Sequence, residues 1–366
     1  MLGVAMGLGQ GCGLGCVGAR GRDVGAVRED RLERHEFMRV QMGVQSRIVV
    51  YAADAGSARR GAASAFDRIA ALEQVMSDYR PDSEASVLAR AGVGVMSPVS
   101  DELFDVLSVS EEVSHATDGA FDVTIGPVVR LWREARRTGD APSVDRLREA
   151  WGRVGFWRVE LDRGTRAGAR RVWMGTEGMG LDFGGIGKGF AAQRAVDHLK
   201  ESGFPRCLVA LAGDVVVGDA PLDAEGRPAA GWRIDVETGI EGRAARSLVL
   251  RHAAVSTSGD SVQFFEIGGV RYAHIIDGRL SRSAEVVSVE DQRFGFRRGV
   301  TVESERGEWA DALGTALAIV GSEWIERGEG ERVRSLLERF GGSWALIEWE
   351  RDSDGGVESV EVGGRR

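Results

Sequence analysis

Helical spacing of apolar residues dominates the first third of the chain, strand-like patterns fill the middle, and helical spacing returns near the end. Ala58–Met76 carries Phe66, Ile69, Leu72 and Val75 at helical spacing, as one buried helix face requires. Asp101–Ala116 repeats the pattern and stops at Thr117-Asp118-Gly119, where glycine makes a natural C-cap. Between them Met76–Glu84 is polar, contains Pro81 and reads as a loop, after which Ser86 opens a short helix. Ser46–Ala52 is β-branched and reads as the first strand. Phe121–Gly126 reads as a loop or short strand, Pro127–Arg137 as a helix with proline in its first turn, and Val144–Trp151 as a short helix.

From about Phe156 the pattern changes. Val159–Leu161, Arg171–Met174 and Leu181–Phe183 read as short strands, and Cys207–Val217 as a buried strand interrupted at Ala212-Gly213-Asp214. Trp232–Glu237, Ser247–Arg251, Ala254–Thr257, Ser261–Ile267, Arg271–Ile276 and Ala284–Glu290 follow as strands, with Gly268-Gly269 as a hairpin turn. Ala310–Val320 and Val333–Phe340 are helical, and Trp344–Trp349 and Val357–Val362 close the chain as strands. This order predicts an α+β fold in one domain, with helices packed on a largely antiparallel, strand-rich core.

Composition narrows the function classes. At 366 residues and 43% hydrophobic, the chain has ample material for one large core. A net charge of −9 argues against general nucleic-acid binding. No apolar run reaches the length of a membrane-spanning helix. Three cysteines build no disulfide framework, and Cys207 reads as a small buried apolar residue. Residues 1–35 are set apart as a leader and 36–366 as the folded domain. The leader is small and apolar without a charge before Arg20, so it lacks the basic start of a secretory signal, although Cys16 after Leu14-Gly15 is similar to a lipoprotein cleavage site. A disordered leader is the alternative.

Candidate chemistry centres on Leu181–Ala192, LDFGGIGKGFAA, where an apolar segment enters a glycine loop and then a helix. Glycines let a backbone approach a ligand closely, first-turn amides attract anions, and Lys188 adds a point charge. The stretch suits a diphosphate, yet neither G-x-x-x-x-G-K-[ST] nor G-x-G-x-x-G is present, and a plain tight turn explains it equally well. Further polar clusters stand at Ser77–Glu84, Thr117–Asp122, Ser256–Asp260 with Tyr272–Asp277, and Asp311–Thr315. Asp311 and Thr315 share a helix face at i and i+4, where a carboxylate and a hydroxyl among apolar residues need a partner; Mg²⁺ would supply one, as would simple capping and back-bonding. His274 alternates with Tyr272 and Ile276 on one predicted strand face.

In order, MSDYRPDSEASVL, TDGAFDVTIGPVVRLW, LDFGGIGKGFAAQRAVDHL, VSTSGD…RYAHIID and ADALGTALAIVG resemble the ApbE family of FAD:protein FMN transferases, from about Met42 to about Gly321. The resemblance implies an enzyme that binds FAD and Mg²⁺ and moves the FMN half of FAD onto a Thr or Ser hydroxyl of a target protein, releasing AMP. It places Tyr79 against the isoalloxazine ring, and Ala120, Phe121 and Asp122 along the flavin site. Asp182 and Lys188 would lie on ribityl, ring or phosphate groups, and Met42 and Asp260 complete the flavin-binding set. Asp311 and Thr315 match the metal-ligand pair, with a backbone carbonyl near Gly187, and His274 matches the histidine near the diphosphate. His274 or Asp311 would be the base.

The chain departs from the family pattern at Val44, which replaces a Thr, at Gly278-Arg279-Leu280-Ser281 in place of P-R-T-G, and at Ala210–Asp214 in place of N-x-G-G-D. It lacks the family's acceptor motif, so it should modify another protein. The resemblance further implies an acceptor in a membrane redox complex and a location at the periplasmic face of the bacterial envelope, anchored through Cys16 or Cys12, with the cytoplasm as the alternative. Two other readings use the same residues: an Mg²⁺-dependent FAD pyrophosphatase, and a flavin-binding module without catalysis.

Overall fold

The computed structural model describes residues 32–164, 170–236, 246–259, 264–267, 270–282, 298–350 and 357–363. The chain enters its main sheet through a hairpin: β1 (Glu33–Gln41) and β2 (Val44–Ala52) pair antiparallel around Met42-Gly43, both at positive φ. β1 was not expected, and it begins inside the stretch set apart as leader. It is an edge strand with only His35, Phe37 and Gln41 half-buried, so it carries little hydrophobic signal.

Helices follow. Asp54 caps α1 (Ala55–Met76), accepting from the amides of Gly56 and Ser57, while Ser83 and Ser100 cap α2 (Glu84–Arg90) and α3 (Asp101–Ala116). The short β3 (Ser97–Pro98) lies between the latter two. α4 (Gly126–Thr138) opens on proline and stops at Gly139 with φ 83°, and Ser143 caps α5 (Val144–Trp151). β4 (Val159–Asp162) and β5 (Arg171–Met174) join β3 in a small sheet of order β3-β5-β4.

The expected strand at Leu181–Phe183 is absent. A single parallel bridge joins Ile125 to Gly180, and the Asp182 amide donates to Val123. The chain cannot extend further, because Asp182 Oδ1 accepts from the Gly184 amide at 2.8 Å and turns it into α6 (Gly187–Glu201). The expected strand at Cys207–Val217 is two, β6 (Cys207–Leu211) and β7 (Asp214–Val217), folded back at Ala212-Gly213 with Ala212 at φ 53°. β8 (Trp232–Val236) and β9 (Arg246–Leu250) pair with each other. β10 (Ala254–Gly259) returns to the main sheet, and β11 (Phe264–Ile267) pairs with β12 (Val270–Ala273). β12 ends at Ala273, so His274 stands beyond the strand, not on its face. The expected strand at Ala284–Glu290 and the Gly268-Gly269 turn lie outside the described residues. β13 (Arg298–Ser304), α7 (Gly307–Glu326), α8 (Gly330–Arg339), β14 (Gly342–Glu350) and β15 (Val357–Gly363) complete the described chain.

Among the described residues the main sheet has eight strands in the order β1-β2-β6-β7-β10-β13-β14-β15, every neighbouring pair antiparallel. Both faces are covered. Ile48, Val50, Val209, Leu211, Val216, Val300 and Val302 join the core of α1, α6 and α7, whereas Val49, Tyr51, Leu208, Val215 and Val217 pack with Trp232, Leu248 and Leu250 of the β8–β9 hairpin. This two-sided burial explains why β2 and β6 read as continuous apolar runs. A third cluster joins Trp132 and Leu147 of α4 and α5 to Ile267 and Tyr272, with the Trp132 and Tyr272 rings 4.8 Å apart.

Candidate active site

The first turns of α6 and α7 touch through glycine. A Cβ on Gly189 would lie 2.1 Å from the Gly307 carbonyl oxygen, and one on Gly307 would lie 2.3 Å from the Gly189 oxygen. Neither helix carries a side-chain cap of its own. Each caps the other instead: the Gly189 amide donates to Asp311 Oδ2 at 2.9 Å, and the Gly307 amide donates to Gln193 Oε1 at 3.0 Å. Two positive helix ends therefore meet at one place, beside the glycine loop.

Lys188 stands at that crossing. Its Nζ lies 3.2 Å from Asp214 Oδ2 and 3.6 Å from Asp311 Oδ2, and donates to the Gly184 carbonyl at 3.2 Å. Ser256 Oγ donates to Asp214, and Thr315 Oγ1 donates to the Gly185 carbonyl at 3.3 Å. A Cβ on Gly185 would sit 2.8 Å from Thr315 Oγ1, so glycine is what lets the loop approach α7. Asp311 is 1% and Asp214 3% exposed. Burial and then the Asp214 charge push the Asp311 carboxyl up to about 7, against the pull of Lys188 and the Gly189 amide. Burial opposes the charge on Lys188, yet Asp214 and Asp311 hold its ammonium above the usual lysine value.

This donor set fits a hard divalent cation. With Asp311 ionised, two carboxylates face one ammonium, which leaves one negative charge without a counterpart inside the cluster. Beside the carboxylates of Asp311 and Asp214, the potential ligands nearby are the Thr315 hydroxyl and the Gly184 and Gly185 carbonyls, all oxygen. No group of three or more His, Cys, Asp and Glu gathers among the described residues, so a cation here would draw remaining ligands from substrate and water.

A second group lies on the other side of the glycine loop. Arg133 of α4 pairs with Asp78 and donates to Asp182 Oδ2 at 2.8 Å, and its guanidinium lies 4.2 Å from the centre of the exposed Tyr79 ring. Gly187, in the first turn of α6, faces methyl groups; a Cβ there would lie 3.7 Å from Met42 Cε and Met76 Cε. The buried Asp122 folds its own loop: it accepts from the Thr124 amide and hydroxyl at 2.7 Å and from the Phe156 amide at 2.9 Å. Ala120 and Phe121 are buried beside it. The Gly278 amide donates to the Ala120 carbonyl at 3.1 Å, which docks the turn Gly278–Arg282 on this loop, with half-buried His274 four residues upstream. Asp260 lies outside the described residues.

The fold thus joins Lys188, Asp311, Thr315 and the glycine loop, and places Met42, Tyr79 and Asp182 on the same loop's flank. Sequence reading singled out the Ser256–Asp260 cluster but missed Asp214, Gln193 and Arg133 as site residues. Asp214 closes a hairpin turn, where a short acid reads as a turn former, although its place in the altered N-x-G-G-D stretch was a usable signal. Arg133 sits among several α4 arginines and reads as surface charge.

Comparison with known proteins gives the family and the fold. The ApbE family profile matches residues 42–333. A FAD:protein FMN transferase of Treponema pallidum is 31% identical, covering 96% of this chain and 93% of the relative. The FAD:protein FMN transferase of Salmonella typhimurium is 25% identical over 81% of this chain and 82% of its own. The crystal structure of the ApbE protein from Thermotoga maritima superposes with a TM-score of 0.71 at 25% identity, over 89% of this chain and 96% of that one. The matched span contains the Lys188–Asp214–Asp311 cluster, the glycine loop and the Tyr79 flank, and the chain belongs to the ApbE family.

Proposed function

We propose that the chain transfers the FMN moiety of FAD to a Thr or Ser hydroxyl of a target protein in an Mg²⁺-dependent reaction that releases AMP. The observation that carries this reading is the half-buried Lys188 held by the buried Asp214 and Asp311 where two helix N-termini meet. Phosphoryl transfer needs positioning and charge neutralisation more than covalent chemistry, and this is a place built for a diphosphate. In the reaction the acceptor oxygen bonds to the FMN phosphorus, the bond from that phosphorus to the AMP oxygen breaks, AMP departs with that oxygen, and the hydroxyl proton passes to a base. Lys188, through its ammonium and its own amide in the first turn of α6, offsets the diphosphate charge. His274 or Asp311 takes the proton, the two bases that the motif resemblance suggests.

Asp311 and Thr315, with the loop carbonyl near Gly187, would hold Mg²⁺, which when bound neutralises phosphate charge and favours departure of AMP. Tyr79, Asp182 and Met42 would receive the flavin, and Ala120, Phe121 and Asp122 the adjoining wall. The same reading assigns the acceptor to a membrane redox complex and the chain to the envelope, anchored through Cys16; family resemblance alone supports this part. Among the described residues no helix is long and apolar enough to cross a membrane.

Product analysis tests the reaction. With FAD, Mg²⁺ and an acceptor domain bearing the family's threonine motif, AMP should appear only with acceptor present, and chelation should stop it. FMN and AMP formed equally without acceptor would establish the pyrophosphatase instead.

A further inference from the structure

We infer that Arg133 is a positioning residue for the flavin end of the site, holding the Tyr79 ring and the glycine loop in one arrangement. This rests on the proposed function, which puts the flavin against Tyr79. Two separate segments meet on one guanidinium of α4: the loop after α1, through Asp78 and the Tyr79 ring 4.2 Å away, and the loop before α6, through Asp182. Tyr79 is 75% exposed, so packing does little to fix its rotamer. The arginine covers one ring face, and the exposure leaves the other for a planar ligand.

The pull extends further. Asp182 spends Oδ2 on Arg133 and Oδ1 on the Gly184 amide, so the arginine is linked through one carboxylate to the start of the loop that carries Lys188. Asp78 and Asp182 are each held by this same cation; without it two like charges would push the two loops apart. Lysine cannot replace it. An ammonium lacks the planar fork that reaches two carboxylates while lying flat on a ring.

The test compares Arg133→Lys and Arg133→Met with the unaltered chain. Binding of FAD, riboflavin and ADP is measured by calorimetry, flavin emission is recorded on binding, and KM and kcat are measured in the transfer assay. Arg133→Lys keeps a positive charge between the carboxylates, so its melting temperature serves as the control for folding. The inference predicts that both variants bind FAD and riboflavin about tenfold more weakly, the size of one lost charge-assisted contact, while ADP binding stays the same. The loss should fall on KM for FAD more than on kcat, and Tyr79 should quench flavin emission less. In a Tyr79→Ala background, Arg133→Lys should add little further loss. Unchanged flavin binding in both variants overturns the inference, as does an equal loss for ADP. If the unaltered chain binds neither FAD nor riboflavin, the proposed function falls and this inference with it.

Discussion

Asp311 serves two purposes from one buried position: its Oδ2 caps α6 through the Gly189 amide, and the same carboxylate lies 3.6 Å from Lys188 Nζ. The two separate by substitution. Asp311→Asn keeps an acceptor for that amide, so it should melt near the unaltered chain yet lose turnover by at least about 10²-fold, the scale of removing one preorganised charged group. Asp311→Ala should lose turnover equally and also lose about 1–3 kcal/mol of stability, because the amide is left unpaired. Full activity in either variant would refute the metal assignment. The carboxyl also gives a pH dependence. Its folded value is raised from 3.8 to about 7, so the folded chain holds a proton that the unfolded chain has released across that window. Stability of the metal-free chain should therefore fall as pH rises through it, and Asp311→Asn should flatten the slope. Thermal melts with chelator across the window check the sign; an identical slope in both proteins contradicts it. Cys207 was legible as a buried apolar residue, and it is a free, buried cysteine whose thiol burial pushes up to about 12. It should resist alkylation at mildly alkaline pH until the chain unfolds, as peptide mass mapping would show. The roles of Asp311, Thr315 and Lys188 came from family resemblance. The residues alone offered a cation on the Asp311–Thr315 face and a point charge in a glycine loop, each beside an equally good structural explanation.

Helix and strand positions followed where local periodicity carried the information. Asp101–Ala116 and Val144–Trp151 appear with the expected bounds. Reading failed where the deciding contact is distant. β1 is a half-exposed edge strand, and the expected strand at Leu181–Phe183 is overridden by the Asp182 turn. The crossing of α6 and α7 is likewise invisible in sequence, since Gly189 and Gly307 are far apart along the chain. It is testable at those glycines. Gly189→Ala forces a methyl to within 2.1 Å of a backbone oxygen that cannot move aside, so it should cost at least about 1–3 kcal/mol and remove most activity. Gly330→Ala, in the first turn of α8 with nothing within 4 Å of the new methyl, should be neutral or stabilising by up to about 1 kcal/mol. Denaturant melts of both variants make the comparison; equal effects would contradict the close crossing.

The α+β architecture and the largely antiparallel core were readable from the order of patterns, but the strand order was not. Asp214 reaches the site because β7 lies beside β10, and Asp311 because α7 packs on β10 and crosses α6. Those pairings are set by which apolar faces fit together, which no local window reports. A site assembled from distant segments should stabilise the whole fold when filled. FAD with Mg²⁺, at about a hundred times the dissociation constant, should add about 2.7 kcal/mol and raise the melting temperature, and chelator should remove most of the gain. An unchanged melting temperature with both present would count against a joint site.

The most direct test of the central claim is the intact mass of an acceptor domain carrying the threonine motif, after incubation with this chain, FAD and Mg²⁺. The account predicts a mass increase of one FMN less water, visible as in-gel flavin fluorescence and absent in the presence of chelator or with Asp311→Asn. An acceptor that keeps its mass while the chain converts FAD to FMN and AMP would contradict it.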